Sequence, residues 1–127
     1  MINGIKPVVS NTTKTQKVNG KNGLSFDEAM DNLLVKIQEN YSNWGGNRMD
    51  RTLNLSLRPG RKFIKVVNDN SVWGFVAKVD GVHKGVPMVK GDILKAAGWR
   101  APAKHSRGSI FDKEMHKSFS WTGPNYL

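Results

Sequence analysis

The chain has 127 residues, a formal net charge of +10 and no cysteine. That length supports one domain with a modest core, and the absence of cysteine excludes disulfide bonds and thiolate metal sites. No apolar run approaches the roughly 20 residues of a membrane-spanning helix, and residues 1–10 contain no apolar segment typical of a secretory signal. We therefore expect a soluble, unexported basic protein with no membrane contact.

The charge is unevenly distributed along the chain. Residues 1–25 contain four lysines and no acidic residue, whereas residues 26–50 carry a net charge of −3 and residues 51–127 a net charge of +9. The first segment is rich in Asn, Thr and Gly, so it has too little apolar surface to offset the entropy lost on ordering. The composition predicts a mobile basic N-terminal segment over residues 1–24 and a single α+β domain over residues 25–127.

The first predicted element is a helix over residues 26–41. Ser25 and Glu28 have the spacing of a capping box, in which each side chain bonds the backbone N–H of the other residue. Apolar residues then recur at steps of three and four from Phe26 to Tyr41, which places them on one face of the helix. We expect this face to pack against a sheet.

Four later segments have patterns typical of strands. Residues 52–57 alternate leucine with polar residues, and the β-branched and aromatic runs 61–67 and 72–79 flank a polar turn, which predicts an antiparallel hairpin. Residues 92–97 fit a strand or one helical turn capped by Asp92, and their short length favours the strand. The predicted fold is an N-terminal helix packed on a small antiparallel sheet of three to four strands, followed by an irregular basic C-terminal tail.

The sequence contains no pattern that indicates catalysis. His83, His105 and His116 lie in polar segments, and none has a carboxylate or a second histidine at metal-ligand spacing. The acidic residues Asp27 and Glu28 are explained by their favourable position at the N-terminus of the predicted helix. We therefore expect a protein that is not an enzyme and that has no metal site and no cofactor.

Basic residues cluster at the start of the predicted hairpin and again from Lys95 to Arg107. A basic surface with aromatic side chains is typical of single-stranded nucleic-acid binding, in which cations contact phosphates and Trp99 or Phe63 would stack on bases. In an extended strand Phe63 and Lys65 share one face, as do Trp73 and Phe75. The alternative is that these aromatic residues form the core side of the sheet, packed against the helix. The candidate nucleic-acid-binding residues are Arg58, Arg61, Lys62, Lys65, Lys95, Trp99, Arg100, Lys104, His105 and Arg107.

The second half of the chain contains an ordered set of short motifs. They are Gly60-Arg-Lys-Phe-Ile-Lys-Val-Val67, Ser71-Val-Trp-Gly-Phe-Val76, Gly91-Asp-Ile-Leu-Lys-Ala-Ala97, Trp99-Arg-Ala-Pro-Ala-Lys104, Arg107-Gly-Ser-Ile-Phe111 and Gly123-Pro-Asn-Tyr-Leu127. This set, which covers residues 60–127, resembles a small, largely uncharacterised family of tailed-bacteriophage proteins. The resemblance implies a phage origin, and hence a location in the host cytoplasm or the virion, but no particular activity. It also implies that the first three motifs form a three-stranded meander.

Charge, motifs and resemblance together predict a phage-encoded, non-enzymatic accessory protein that binds nucleic acid. Its basic surface would contact the phosphates of DNA or RNA, because a concentrated positive charge attracts polyanions. The alternative is a protein-interaction module, either a virion component or an early protein that binds a host enzyme, because an acidic protein surface would be attracted by the same charge. The sequence leaves the oligomeric state open.

Overall fold

A computed structural model describes residues 22–44 and 52–126. These residues form an α+β fold with one helix, a five-stranded antiparallel sheet and two short hairpins. Of the predicted N-terminal segment, residues 1–21 lie outside the described residues. The elements are α1 (Phe26–Trp44), β1 (Leu55–Pro59), β2 (Phe63–Asn68), β3 (Ser71–Ala77), β4 (Gly81–His83), β5 (Val86–Met88), β6 (Asp92–Ala96), β7 (Pro102–Ser109), a short 3-10 helix (Met115–Ser118), β8 (Phe119–Ser120) and β9 (Gly123–Pro124).

The helix begins where the capping box predicts. The backbone N–H of Ser25 donates to Glu28 Oε1 at 2.9 Å, and the N–H of Glu28 donates to Ser25 Oγ at 3.2 Å. These two bonds satisfy donors that have no partner within the helix. The helix ends at Trp44 rather than at Tyr41, so its predicted start is confirmed and its predicted end is three residues too early.

The large sheet has the strand order β1-β2-β3-β6-β7. The predicted hairpin is formed by β2 and β3, and the ambiguous segment is a strand, Asp92–Ala96. The sheet is larger than the predicted three to four strands, because Pro102–Ser109 adds a fifth strand within the segment expected to be irregular. That strand has no alternating apolar pattern and begins with proline, which a sheet tolerates in an edge strand where the missing N–H is not needed.

The two faces of the sheet belong to different cores. On one face, Leu33 and Ile37 of the helix pack with Ile64, Val66 and Ile93 of the sheet. The opposite face has a smaller core that is completed by the hairpin of β4 and β5, and its buried members are Phe75, Ala77, Met88 and Leu94. The second core therefore covers only part of the face that the helix does not reach.

A β-bulge in β3 separates two aromatic residues that the alternation pattern places together. Val66 pairs with Gly74 and Val67 pairs with Val72, so Trp73 is an extra residue without a partner. A bulge shifts the residues beyond it to the other face of the strand. Trp73 accordingly lies in the core beneath the helix, and Phe75 lies in the second core. The expectation that Trp73 and Phe75 share a face is therefore wrong.

Gly91 lies directly before β6 and bonds the end of β3 and the residue after β7. Its position excludes larger residues. Its φ is +96°, and a Cβ there would lie 2.7 Å from two ring carbons of Phe111. Its N–H donates to the carbonyl of Ala77, and its carbonyl accepts from the N–H of Ile110, both at 2.9 Å. The backbone at Gly91 cannot shift without loss of these bonds.

We predict that Gly91→Ala lowers the free energy of unfolding by about 2–4 kcal/mol, through steric overlap and the left-handed backbone conformation. Urea denaturation followed by circular dichroism measures the change. Gly98→Ala is the matched control, because no atom of the described residues lies within 4 Å of a Cβ at that exposed position. Equal stability of the two variants would contradict the close approach of Phe111.

Candidate functional site

A cleft of about 420 Å³ opens on the sheet face that is opposite the helix. Of the eight described residues that line it, five are cationic and none is acidic. They come from β1, the β1–β2 turn, β2, β3 and the β6–β7 connection. The lining residues are Arg58, Gly60, Arg61, Lys62, Phe63, Lys65, Phe75 and Arg100. We call this feature the cationic cleft.

Strand register brings the first part of the cleft together. Arg58 pairs with Lys65 across β1 and β2, and Lys65 pairs with Phe75 across β2 and β3. Directly paired residues project to the same face of a sheet. Because Ile64 and Val66 on either side of Lys65 are buried beneath the helix, the Arg58–Lys65–Phe75 row lies on the other face. The prediction that Phe63 and Lys65 share a face is confirmed.

The β1–β2 turn supplies two more cations at the edge of the cleft. The N–H of Gly60 donates to the Phe63 carbonyl at 2.8 Å and closes the turn. Lys78, the residue after β3, also holds the turn, because its Nζ donates to the Gly60 carbonyl at 2.9 Å and its N–H donates to the Lys62 carbonyl at 2.8 Å. Arg61 and Lys62 are exposed within this held turn.

The β6–β7 connection extends to the same cleft from the far side of β3. Its ends are joined by hydrogen bonds from the N–H groups of Ala97 and Gly98 to the Ala101 carbonyl, at 2.9 and 3.3 Å. Arg100 lines the cleft, and the neighbouring Trp99 ring lies 4.4 Å from Lys65 Nζ, measured to the ring centroid. Arg58 Cζ lies 5.8 Å from the same centroid. These cation–π contacts stabilise the position of an indole that remains 45% exposed.

The cleft cations have no acidic partner among the described residues. The described residues form two ion pairs, Lys36 with Glu39 and Lys117 with Glu114, and both lie outside the cleft. Asp92 is half-buried at the start of β6, where it accepts a hydrogen bond from the Val89 N–H at 2.9 Å, and burial raises the pKa of its carboxyl. Clustered positive charge without compensating carboxylates creates a local potential that attracts anions.

Two of the predicted site residues contact the C-terminal segment instead. Lys95 alternates with Leu94 of the second core, so its side chain points to the helix face, where its Nζ donates to the Pro124 carbonyl at 2.9 Å. Arg107 Nε donates to the Asn125 carbonyl at 2.8 Å. We call these two contacts the C-terminal anchor. Sequence proximity grouped both cations with Arg100, but neither lines the cleft.

Lys104 and His105, the remaining predicted site residues, are exposed on β7 and do not line the cleft. The structure thus brings together six of the ten predicted residues: Arg58, Arg61, Lys62, Lys65, Trp99 and Arg100. Phe75 also lines the cleft, although it is not one of the ten residues predicted from the sequence. Its place on the cleft floor depends on the bulge at Trp73, for which the sequence carries no evident signal.

The histidines show no arrangement with a carboxylate in the described part of the chain. His83 Nε2 lies 3.1 Å from the Pro102 carbonyl, and its ring packs edge-on against Phe63 at 5.1 Å between centroids. His105 and His116 are exposed. Within residues 22–44 and 52–126, no cluster of three or more potential metal ligands is found, and no helix is long and apolar enough to cross a membrane.

Comparison with protein families gives one informative result. A family model described as "Family of unknown function (DUF7717)" matches residues 10–127. The chain belongs to DUF7717. Comparisons of this DUF7717 member with curated proteins and with solved structures give no significant match. The geometry of the cationic cleft is therefore the main structural guide to the function of this protein.

The C-terminal anchor generates a prediction about stability. Lys95→Met removes the hydrogen bond to Pro124 and the cation–π contact with Tyr126, whose centroid lies 4.0 Å from Lys95 Nζ. We expect the free energy of unfolding to fall by about 1–2 kcal/mol, measured by urea denaturation. Lys113→Met is the control, because Lys113 is exposed. If both variants unfold at the same urea concentration, the anchor does not stabilise the fold.

Proposed function

We propose that this DUF7717 member is a non-enzymatic accessory protein, encoded by a tailed bacteriophage, that binds nucleic acid through the cationic cleft. The observation that carries the proposal is the convergence of five cationic side chains, from separate parts of the chain, on a cleft whose described lining residues include no acid. The phage origin rests on the motifs of residues 60–127, and it would place the protein in the host cytoplasm or in the virion.

The chemistry of the cleft suits phosphate groups. Guanidinium groups bind phosphate oxygens through paired hydrogen bonds, and lysine ammonium groups bind them as point charges. Arg58, Arg61 and Arg100 would supply the first kind of contact, and Lys62 and Lys65 the second. Since these contacts carry no sequence information by themselves, we propose binding with little sequence preference.

The ten predicted residues have different roles in this function. The cleft cations and Trp99 form the binding site, and the exposed Lys104 and His105 extend positive charge along β7. Lys95 and Arg107 serve the C-terminal anchor, because each donates a hydrogen bond to a backbone carbonyl of residue 124 or 125. Variants of the anchor should therefore act through stability, and variants of the cleft should act through affinity.

We predict that Lys62→Gln makes the salt dependence of binding weaker. Each phosphate contact with a single strand contributes about −0.7 to the slope of log affinity against log salt, because binding releases condensed counterions. Loss of the Lys62 contact should make the slope less negative by about 0.7. Fluorescence anisotropy with a labelled oligonucleotide, at several salt concentrations between about 50 and 200 mM, measures the slope.

Lys113→Gln is the matched control, because it removes the same charge from an exposed position that does not line the cleft. Its slope should equal that of the unaltered protein. An equal change in both variants would show that net charge, and not the cleft, determines binding. Affinity that does not vary with salt would contradict nucleic-acid binding altogether. Retention of a host protein from a nuclease-treated lysate would then favour the alternative, a protein-interaction module.

A further inference from the structure

The cationic cleft combines two kinds of surface. Cations line its edges, whereas the partly buried Phe63 gives its floor an apolar surface and packs edge-to-face on the buried Phe75, with 6.2 Å between centroids. Trp99 stands beside it with nearly half of its surface exposed. Bare phosphate groups need only the cations. A planar aromatic group that carries negative charge would use both surfaces, and a nucleotide has that chemistry.

The size of the cleft limits how a nucleic acid can enter. A volume of about 420 Å³ falls in the range of about 300–1,000 Å³ that holds small organic molecules, so the cleft accommodates a ligand group of the size class of a single base rather than a stacked duplex. Bases of a duplex are stacked and paired between two backbones, so a duplex can place a base in the cleft only by flipping it out at a cost in unstacking. An unpaired strand has its bases available without that cost.

The Trp99 ring is held in position before any ligand binds. The β6–β7 connection is closed by two backbone hydrogen bonds, and Lys65 and Arg58 contact the indole from strands β2 and β1. A group that is already ordered loses less conformational entropy on binding. An exposed and preorganised indole beside phosphate-binding cations provides a stacking platform for bases.

Given the proposed function, on which this inference rests, we infer that the cleft selects single-stranded nucleic acid by stacking an unpaired base on Trp99. Arg61 and Lys62 on one side of the cleft, and Arg100 on the other, bind the flanking phosphates. The selectivity arises from the base and the affinity for polyanions arises from the cations. Removal of the bases should therefore reduce affinity while leaving the salt dependence in place.

The test compares labelled ligands by fluorescence anisotropy at one salt concentration. They are an oligothymidylate of about twelve nucleotides, an abasic strand with the same number of phosphates, and a duplex of the same length. Oligothymidylate should bind at least about tenfold more tightly than the abasic strand, because stacking of one base on an aromatic side chain has this order of effect. Oligothymidylate should also bind more tightly than the duplex.

Variants locate the effect at one indole. Trp99→Leu should reduce the affinity for oligothymidylate to that for the abasic strand, and should leave the abasic affinity within about twofold, because the phosphate contacts remain. Trp44→Leu is the control, since Trp44 is 62% exposed but lies on the helix beside Tyr41 and Trp121, whereas Trp99 contacts the cleft cations Arg58 and Lys65. It should keep the full difference between the two strands. The comparison of ligands on the unaltered protein decides the question even if Trp99→Leu does not fold.

The outcomes separate the two proposals. Equal, salt-dependent affinity for oligothymidylate and the abasic strand would overturn base stacking and leave phosphate binding standing, as would tighter binding to the duplex. No salt-dependent binding to any of the three ligands would overturn both proposals. If thymidine monophosphate competes as strongly as the oligonucleotide, the cleft is a nucleotide pocket and the single-strand inference is wrong.

Discussion

The helix can bury only one face of the five-stranded sheet, and the organisation of the molecule depends on that limit. Beneath the helix, Leu33 and Ile37 meet the apolar residues of β2, β3 and β6 in the main core. The other face needs separate cover, because burial of apolar surface stabilises the fold by about 25 cal/mol for each Å² removed from water. The β4–β5 hairpin supplies this cover through Met88. The same face also carries Arg58 and Lys65, in register with Phe75, and these cations line the cleft.

The bulge at Trp73 makes this two-sided arrangement possible in β3. Without the extra residue, Trp73 and Phe75 would project to the same face. With it, Trp73 reaches the main core, where its Nε1 donates to the Ser120 carbonyl at 3.0 Å, and Phe75 reaches the floor of the cleft. The same strand contains Gly74, whose missing side chain leaves room for Pro124, since a Cβ would lie 3.0 Å from Pro124 Cγ. One strand thus serves the core, the cleft and the C-terminal segment.

Local signals predicted the elements that depend on local contacts. The Ser25–Glu28 capping box set the start of the helix, and the alternation in residues 61–67 placed Phe63 and Lys65 on one face. The fifth strand depends on pairing with β6 over a distance in sequence, and residues 102–109 have no apolar alternation, so the strand was not predictable from them. The bulge was missed for a related reason, because it arises from the register between β2 and β3.

The candidate site also has a part that local sequence predicts and a part that depends on long-range packing. Arg58, Arg61, Lys62 and Lys65 are close in sequence and lie on or between two paired strands, so their clustering followed from the hairpin. Trp99 and Arg100 join them because the β6–β7 connection extends over the sheet. Lys95 and Arg107 belong to the same sequence cluster, yet both contact the C-terminal segment. Which cations face the cleft depends on where the last residues of the chain pack, and neither charge nor spacing carries that information.

We propose that one face of this sheet binds the ligand and that the other supports the fold. Amide chemical shifts of the ¹⁵N-labelled protein, recorded during titration with a short single-stranded oligonucleotide, test it most directly. We expect the largest changes in residues 58–65 and at the Trp99 indole N–H, with small changes at Leu33, Ile37 and the C-terminal anchor. Large changes confined to the helix or to residues 123–126, with none around the cleft, would contradict it.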